Sequence, residues 1–205
     1  PPPPPPPLFQ AEDGIRDMPT GLVGSEMCIR DSLHTYGDVL AWSQQTGVLE
    51  ESVVKRLASV AQEDPSAALT AFTRARALRE DLYRVISALP SGQTVPSGEF
   101  DSLNKQIRQL MSESELIPDE SGFRLERNGA ADALDQMLWS VLRSAVELLT
   151  SERVRDIRQC EGENCSWLFI DNSRTRRKKW CDMQVCGNRA KARRHYKKKK
   201  AAQST

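Results

Sequence analysis

Residues 160–196 read CEGENCSWLFIDNSRTRRKKWCDMQVCGNRAKARRHY. Four cysteines stand here in two Cys-x4-Cys pairs, Cys160/Cys165 and Cys181/Cys186, with fifteen residues between the pairs. Each pair can close on one ion as a knuckle, and four soft ligands complete the tetrahedron that structural zinc requires. Thiolates disfavour magnesium and calcium, which prefer oxygen. An iron–sulfur cluster takes the same four thiolates, and two disulfides would use the same four sulfurs. The knuckle layout, with no further cysteines to build a disulfide framework, favours zinc over both. Four protein ligands leave no open coordination position, so the Zn2+ is expected to be structural rather than catalytic.

Between the pairs, Trp167–Ile170 has strand composition and Asp171-Asn172-Ser173 has turn chemistry. The expected plan is knuckle, hairpin between the pairs, then a helix starting near Cys186, a treble-clef-like unit. With so few apolar residues, such a unit is expected to unfold without its metal.

Charge gives this segment a second meaning. The whole chain of 205 residues has a formal net charge of +1, but residues 158–200 hold fourteen Lys/Arg against four Asp/Glu, while residues 1–157 hold fifteen against twenty-four. One basic cluster, Arg174, Arg176, Arg177, Lys178 and Lys179, lies between the cysteine pairs. The other follows Cys186: Arg189, Arg193 and Lys197 share a helical face, with Asn188, Lys191 and Arg194 beside it. Two basic clusters on one metal-fixed scaffold are the electrostatic footprint of a nucleic-acid-binding module. Lys and Arg neutralise phosphates, and Asn and Arg can read adenine and guanine edges. Double-stranded DNA is the expected partner; RNA or an acidic protein is the alternative. The few rings, Trp167, Phe169, Trp180 and Tyr196, argue against single-strand stacking unless they are exposed.

Upstream, the period is helical. Tyr36–Gln45 ends at Gly47, a C′ position, and Glu50–Gln62 carries Val53, Val54, Leu57, Val60 and Ala61 on one stripe. Asp64-Pro65 starts a third helix bearing Leu69, Phe72, Arg76, Arg79, Tyr83 and Ile86, expected to stop before Pro90. A fourth runs from about Glu99 through Leu110. Leu116-Ile117-Pro118 and the alternating Phe123–Arg127 flank Asp119–Gly122 and predict a hairpin with a turn of about four residues. Ala131–Leu149 is expected to be the last long helix of this part, with Leu134, Leu138, Val141, Leu142, Ala145 and Leu148 on one stripe. The fold class is mainly α: a helical bundle with one small β-hairpin, then the small zinc finger.

The first thirty-two residues contain eight of the twelve prolines and show neither helical nor strand period. Gln10–Asp17 (QAEDGIRD) and Leu22–Ser32 (LVGSEMCIRDS) read as in-frame translations of library-adapter oligonucleotides. Residues 1–32 are therefore expected to be a non-native, disordered leader and are left out of the fold reading. The domains expected are 33–152 for the helical part, 153–200 for the finger and 201–205 for a disordered tail.

No enzyme is expected. The two histidines, His34 and His195, form no nucleophile–base set, and no phosphate-cradling glycine loop occurs. No stretch approaches the roughly 18 apolar residues of a membrane span.

The stretch CGNRAKARRHY (186–196), with WLFID and RKKWC before it, closely resembles the CGNR-type zinc finger of bacterial regulators. YGDVLAWSQQTGVL (36–49), ALREDLYRVISAL (77–89) and ALDQMLWSVLRSAVELLTS (133–151) resemble the ABATE domain that accompanies it, a domain described for stress-induced transcription regulators. The resemblance implies that Cys160, Cys165, Cys181 and Cys186 are the zinc ligands and that the helix from Gly187 contacts DNA. It further implies a bacterial, cytoplasmic transcription regulator, whose helical domain senses a small-molecule ligand or mediates assembly. Family members carry a strand with a sequence like LDFVNT where the adapter-like segment stands, so the helical domain is expected to be incomplete at its N-terminal side.

Overall fold

A computed structural model of the chain describes residues 33–120, 122–163 and 165–203. The expected leader, residues 1–32, lies outside them. The described residues fall into two compact units, 33–151 and 152–203.

The first unit is built from α1 (Tyr36–Gln45), α2 (Glu51–Glu63), α3 (Pro65–Ser91), α4 (Ser97–Ser112), the hairpin β1 (Ser114–Asp119) and β2 (Gly122–Arg127), and α5 (Gln136–Thr150). Local chemistry sets its boundaries. Thr35 and Asp38 form a capping box at the start of α1, each side chain serving the other's backbone N–H. At its end Val48 N donates to the Ser43 carbonyl and Gly47 N to that of Gln44, a Schellman pair that needs the left-handed φ of +69° at Gly47. Asp64 caps α3 through the Ala67 amide, 2.9 Å away, with Pro65 at the first helical position, as the sequence predicts.

Three boundaries differ from the sequence reading. Helix α3 runs through Pro90 to Ser91. Proline forfeits only one bond this close to the end, and a second Schellman pair, Gln93 N to Ala88 O and Gly92 N to Leu89 O, closes the helix at left-handed Gly92. The hairpin turn is tighter than expected, because the ladder continues until Asp119 pairs with Gly122. Helix α5 begins at Gln136 rather than Ala131. Residues 131–135 form turns instead, and their groups serve other elements: the Leu134 carbonyl accepts from the buried Tyr36 hydroxyl, and the Asp135 carboxylate accepts from Arg127.

One half of the core joins α1, α2, α3 and α5 through Tyr36, Val39, Leu40, Leu57, Phe72 and Met137. The inward stripe of α3 runs through Ala68, Ala71, Phe72, Ala75, Leu78, Leu82, Val85 and Ile86. Leu69, expected on that stripe, is 64% exposed. The small alanines occupy the contact positions and leave the larger neighbour outside.

The second unit contains a short 3-10 turn (Glu152–Asp156), β3 (Ile157–Gln159), β4 (Leu168–Ile170), a π-type turn (Met183–Gly187) and α6 (Asn188–Gln203). Strands β3 and β4 are antiparallel, with Ile157 opposite Ile170 and Gln159 opposite Leu168. The hairpin is thus present, but its partner strand precedes Cys160 instead of lying between the cysteine pairs. Residues 171–180 are too polar and basic to offer the expected second strand, whereas Ile157 supplies the apolar contact. Helix α6 reaches Gln203, three residues into the expected tail; Ala201 and Ala202 favour helix and nothing before them stops it. Residues 204–205 lie outside the described residues.

Candidate metal centre

The β3–β4 hairpin makes the first cysteine pair its own loop. Cys160 follows β3 directly, and its N–H donates to the Trp167 carbonyl at 2.9 Å, extending the ladder by one rung. Cys165 N donates to the Gly162 carbonyl at 3.0 Å, which turns the chain back. The second pair is presented by the π-type turn, capped by Asp182, whose carboxylate accepts from Val185 N at 2.7 Å.

These turns bring the Sγ atoms of Cys160, Cys165, Cys181 and Cys186 within 4.8 Å of one another, and none is disulfide-bonded. Cys181 Sγ lies 3.9 Å from that of Cys165 and 3.8 Å from that of Cys186. A zinc–thiolate bond of about 2.3 Å requires tetrahedral edges of about 3.8 Å, so the cluster has the dimensions of a closed zinc site. The backbone is fitted to it as well. Gly162 N and Cys181 N each donate to Cys160 Sγ at 3.4 Å, as groups around a metal-bound thiolate do. A Cβ on Gly162 would stand 3.2 Å from Cys186 Sγ and 3.3 Å from Cys160 Sγ, so the knuckle needs glycine there for close approach.

Electrostatics also calls for a cation. Hydrogen bonding from Cys181 pulls the Cys165 thiol down to about 5. Burial, with the charge of Cys165 and Cys160 behind it, pushes the Cys186 thiol up to about 12, and Cys181 is raised too, chiefly by its bond to Cys165. A dication lets all four ionise.

The basic residues singled out in the sequence are not equivalent. Arg176 sits at φ +52°, and its half-exposed guanidinium donates to the Asp171 carbonyl at 2.6 Å and pairs with Asp156. Lys179 pairs with Glu161 at 2.9 Å, and the Lys179 carbonyl accepts from the Glu161 N–H. Arg193 on α6 pairs with Glu163 in the knuckle. Lys178 is half-buried, its ammonium 5.5 Å from the centre of the Phe169 ring. Arg176, Lys179 and Arg193 remain about half exposed despite these pairs, and Arg174, Arg177, Asn188, Arg189, Lys191 and Arg194 are exposed too. The side chain of Lys197 lies outside the described residues.

Sequence reading placed Asp171 in a turn but did not single it out as a buried anchor. It is fully buried, and its carboxylate accepts from Ser173 N at 3.0 Å, Ser173 Oγ at 2.6 Å and Lys178 N at 2.9 Å. Burial pushes its carboxyl upward, but the bonds from Ser173 and Lys178, with the nearby Arg158 charge, outweigh it and hold the group below the usual carboxylate range. The Asp-x-Ser spacing is Asx-turn chemistry and was the available signal.

A four-thiolate zinc centre closed by a hairpin and a following helix defines a zinc-finger protein. Residues 156–199 match the family described as "CGNR zinc finger". Residues 22–152, more than half of the chain, match the ABATE family, described as "Putative stress-induced transcription regulator"; that range takes in residues 22–32 of the adapter-like segment. The chain belongs to the ABATE family, and its finger holds a structural Zn2+. No curated protein matches it. Neither family description names an enzyme. No helix among the described residues is long and apolar enough to cross a membrane.

Proposed function

We propose that this protein is a DNA-binding transcription regulator of the bacterial cytoplasm, whose finger grips duplex DNA while the helical unit senses a ligand or mediates assembly. The observation that carries this reading is the coupling of both basic clusters to one metal centre. The loop 174–179 runs straight into Cys181, and α6 leaves the site two residues after Cys186. Four thiolates and Zn2+ sum to −2, which leaves a segment of formal charge +10 strongly positive. All the described side chains of α6 beyond Ala190 are exposed, so this helix is available to a groove.

Exposure supports a choice among the contacts. We propose Arg174 and Arg177 on the loop and Lys191 and Arg194 on α6 for phosphates, and Asn188 and Arg189 for base edges. Arg176, Lys179 and Arg193 carry internal ion pairs and contribute less. The zinc-loaded full chain should bind random duplex at low salt, with affinity falling roughly as the 0.9Z power of salt for Z phosphate contacts. Selection from a random pool should then enrich a sequence, and competing structured RNA should displace the protein poorly. No duplex binding at low salt removes the proposal; preferential displacement by RNA replaces it with the RNA-binding alternative.

A further inference from the structure

Of the four acidic residues in 158–200, two stand in the first knuckle, Cys160-Glu161-Gly162-Glu163-Asn164-Cys165. Each is paired with a different basic cluster. The Glu161 carboxylate takes the Lys179 ammonium through both oxygens, at 3.2 and 2.9 Å, and Glu163 takes the Arg193 guanidinium in the second turn of α6. The other two acids, Asp171 and Asp182, accept from backbone amides instead.

The cysteine turns hold the partners of each pair together. Glu161 N donates to the Lys179 carbonyl at 2.9 Å, and Cys181 N, two residues past Lys179, donates to Cys160 Sγ. Glu163 follows Gly162, which packs against the Cys160 and Cys186 sulfurs, and α6 begins two residues after Cys186. Both pairs are nevertheless open to solvent, with Glu161 57% and Glu163 68% exposed. The pair of Arg176 with Asp156 differs, because that carboxylate is only 19% exposed and the guanidinium also bonds the Asp171 carbonyl. Open ion pairs add little to stability, so the knuckle glutamates contribute little to folding. Their effect falls on an anion arriving at the basic surface. A phosphate approaching Lys179 or Arg193 meets a carboxylate already in its place, and like charges at that range repel.

We propose that the first knuckle is a built-in phosphate mimic: Glu161 and Glu163 occupy Lys179 and Arg193 and keep them out of the phosphate-contacting set. The sequence-independent hold on duplex is thereby weakened from within the finger. Phosphate contacts carry no sequence information, so base edges then supply a larger share of binding. The proposal rests on the duplex-binding reading and names the residues that restrain that site. Glutamine keeps the size of glutamate and removes its charge, so each Glu→Gln variant frees one cation.

The test titrates the zinc-loaded full chain and its variants Glu161→Gln, Glu163→Gln and Glu152→Gln with one random-sequence duplex over a range of salt. Glu152 is an exposed glutamate of the same unit with no ion pair among the described residues, so its variant controls for net charge. Glu161→Gln and Glu163→Gln are each expected to steepen the slope of log affinity against log salt by about one. Each should also tighten binding roughly five- to tenfold at about 0.1 M salt, as one further phosphate contact does. Glu152→Gln should leave the slope at its wild-type value. Combining Glu163→Gln with Arg193→Gln should restore that value, because the cation released is the one then lost. Zinc content and unfolding midpoint should stay within error of wild type in both knuckle variants. If one of them loses zinc, the other decides; loss from both makes the pairs structural and overturns the proposal. Unchanged slopes in both, with duplex bound by wild type, overturn the mimic and leave the duplex-binding reading standing. No binding by wild type or variants removes both. An equal gain in Glu152→Gln, or a slope that stays steep in the double variant, assigns the effect to net charge and also overturns it.

Discussion

The buried carboxylate of Asp171 accepts a hydrogen bond from the Lys178 amide at 2.9 Å, tying the end of β4 to the far end of the basic loop. Together with the two bonds from Ser173, this closes residues 171–178 into one turn without any strand. Asparagine in place of Asp171 would set an N–H2 group against one of these donors and remove a charge that they stabilise. Asp171→Asn is therefore expected to destabilise the zinc finger by about 2 kcal/mol or more, as loss of bonds to a buried charged group does. Hydrogen exchange at the Ser173 and Lys178 amides would report it, and unchanged protection there would refute it.

Acid sensitivity of the helical unit is expected to involve Asp38. Amides of His34 and Thr35 donate to its carboxylate, both at 2.8 Å, and hold the carboxyl below the ordinary carboxylate range, so it stays ionised to lower pH. A carboxyl depressed in the folded state contributes stability above its unfolded value, near 3.9, and loses it as pH falls through the folded one. The stability gap between wild type and Asp38→Asn should be constant above about pH 5 and change only below about pH 4. Denaturant melts of the α1 region between pH 2.5 and 7 would check this; a gap that changes near pH 6 would mean another group is responsible.

Glycine-to-alanine substitution should separate close approach from helix propensity. At Gly162 the added methyl carbon meets two cysteine sulfurs at 3.2–3.3 Å; at Gly98, in the first turn of α4, it meets nothing within 4 Å. Gly162→Ala is expected to weaken zinc affinity about tenfold or more, in the range seen when groups around metal ligands are disturbed. Gly98→Ala should leave zinc untouched and stabilise the helical unit by a few tenths to about 1 kcal/mol. Competition with a chromophoric chelator gives the first number and thermal unfolding the second.

How far the sequence discloses this molecule depends on the range of each interaction. Asp64-Pro65, Gly47 and the cysteine spacing act within a few residues, and helix α3, the end of α1 and the metal centre follow from them. The partner of β4 was hidden because β3 is three residues long and has no period to detect. Leu69 was misplaced because hydrophobicity ranks leucine above alanine, whereas packing at the α3 contact selects the smaller side chain. The Arg127 ion pairs join residues 8 and 14 apart through a hairpin end, and no pattern marks them. Likewise, the basic run 174–179 looks uniform until Asp156 and Glu161 select Arg176 and Lys179 from it.

Metal removal should act on one unit only. The finger buries little beyond Ile157, Cys160, Phe169, Ile170 and Asp171, whereas the helical unit has its own core around Leu57, Leu78, Ile86 and Met137. Chelation, or Cys181→Ser, is expected to unfold residues 152–203 while leaving α1–α5 folded. In an amide correlation spectrum, finger resonances should collapse to random-coil positions and those of the helical unit should remain dispersed. Loss of both sets at once would mean that the units fold as one.

The internal pairing of Arg176 separates a structural from an interfacial role among neighbouring arginines. Its left-handed backbone is tolerated because the guanidinium is bonded to the Asp171 carbonyl and to Asp156. Arg177, one residue on, is exposed as Arg176 is, but has no ion pair among the described residues. Arg176→Ala is expected to lower the unfolding midpoint of the finger and its zinc affinity, with little change in the salt dependence of duplex binding. Arg177→Ala should leave the midpoint within error and reduce the slope of log affinity against log salt by about one. If both substitutions change only the slope, the bonds of Arg176 contribute nothing, and the loop is a uniformly solvated basic surface.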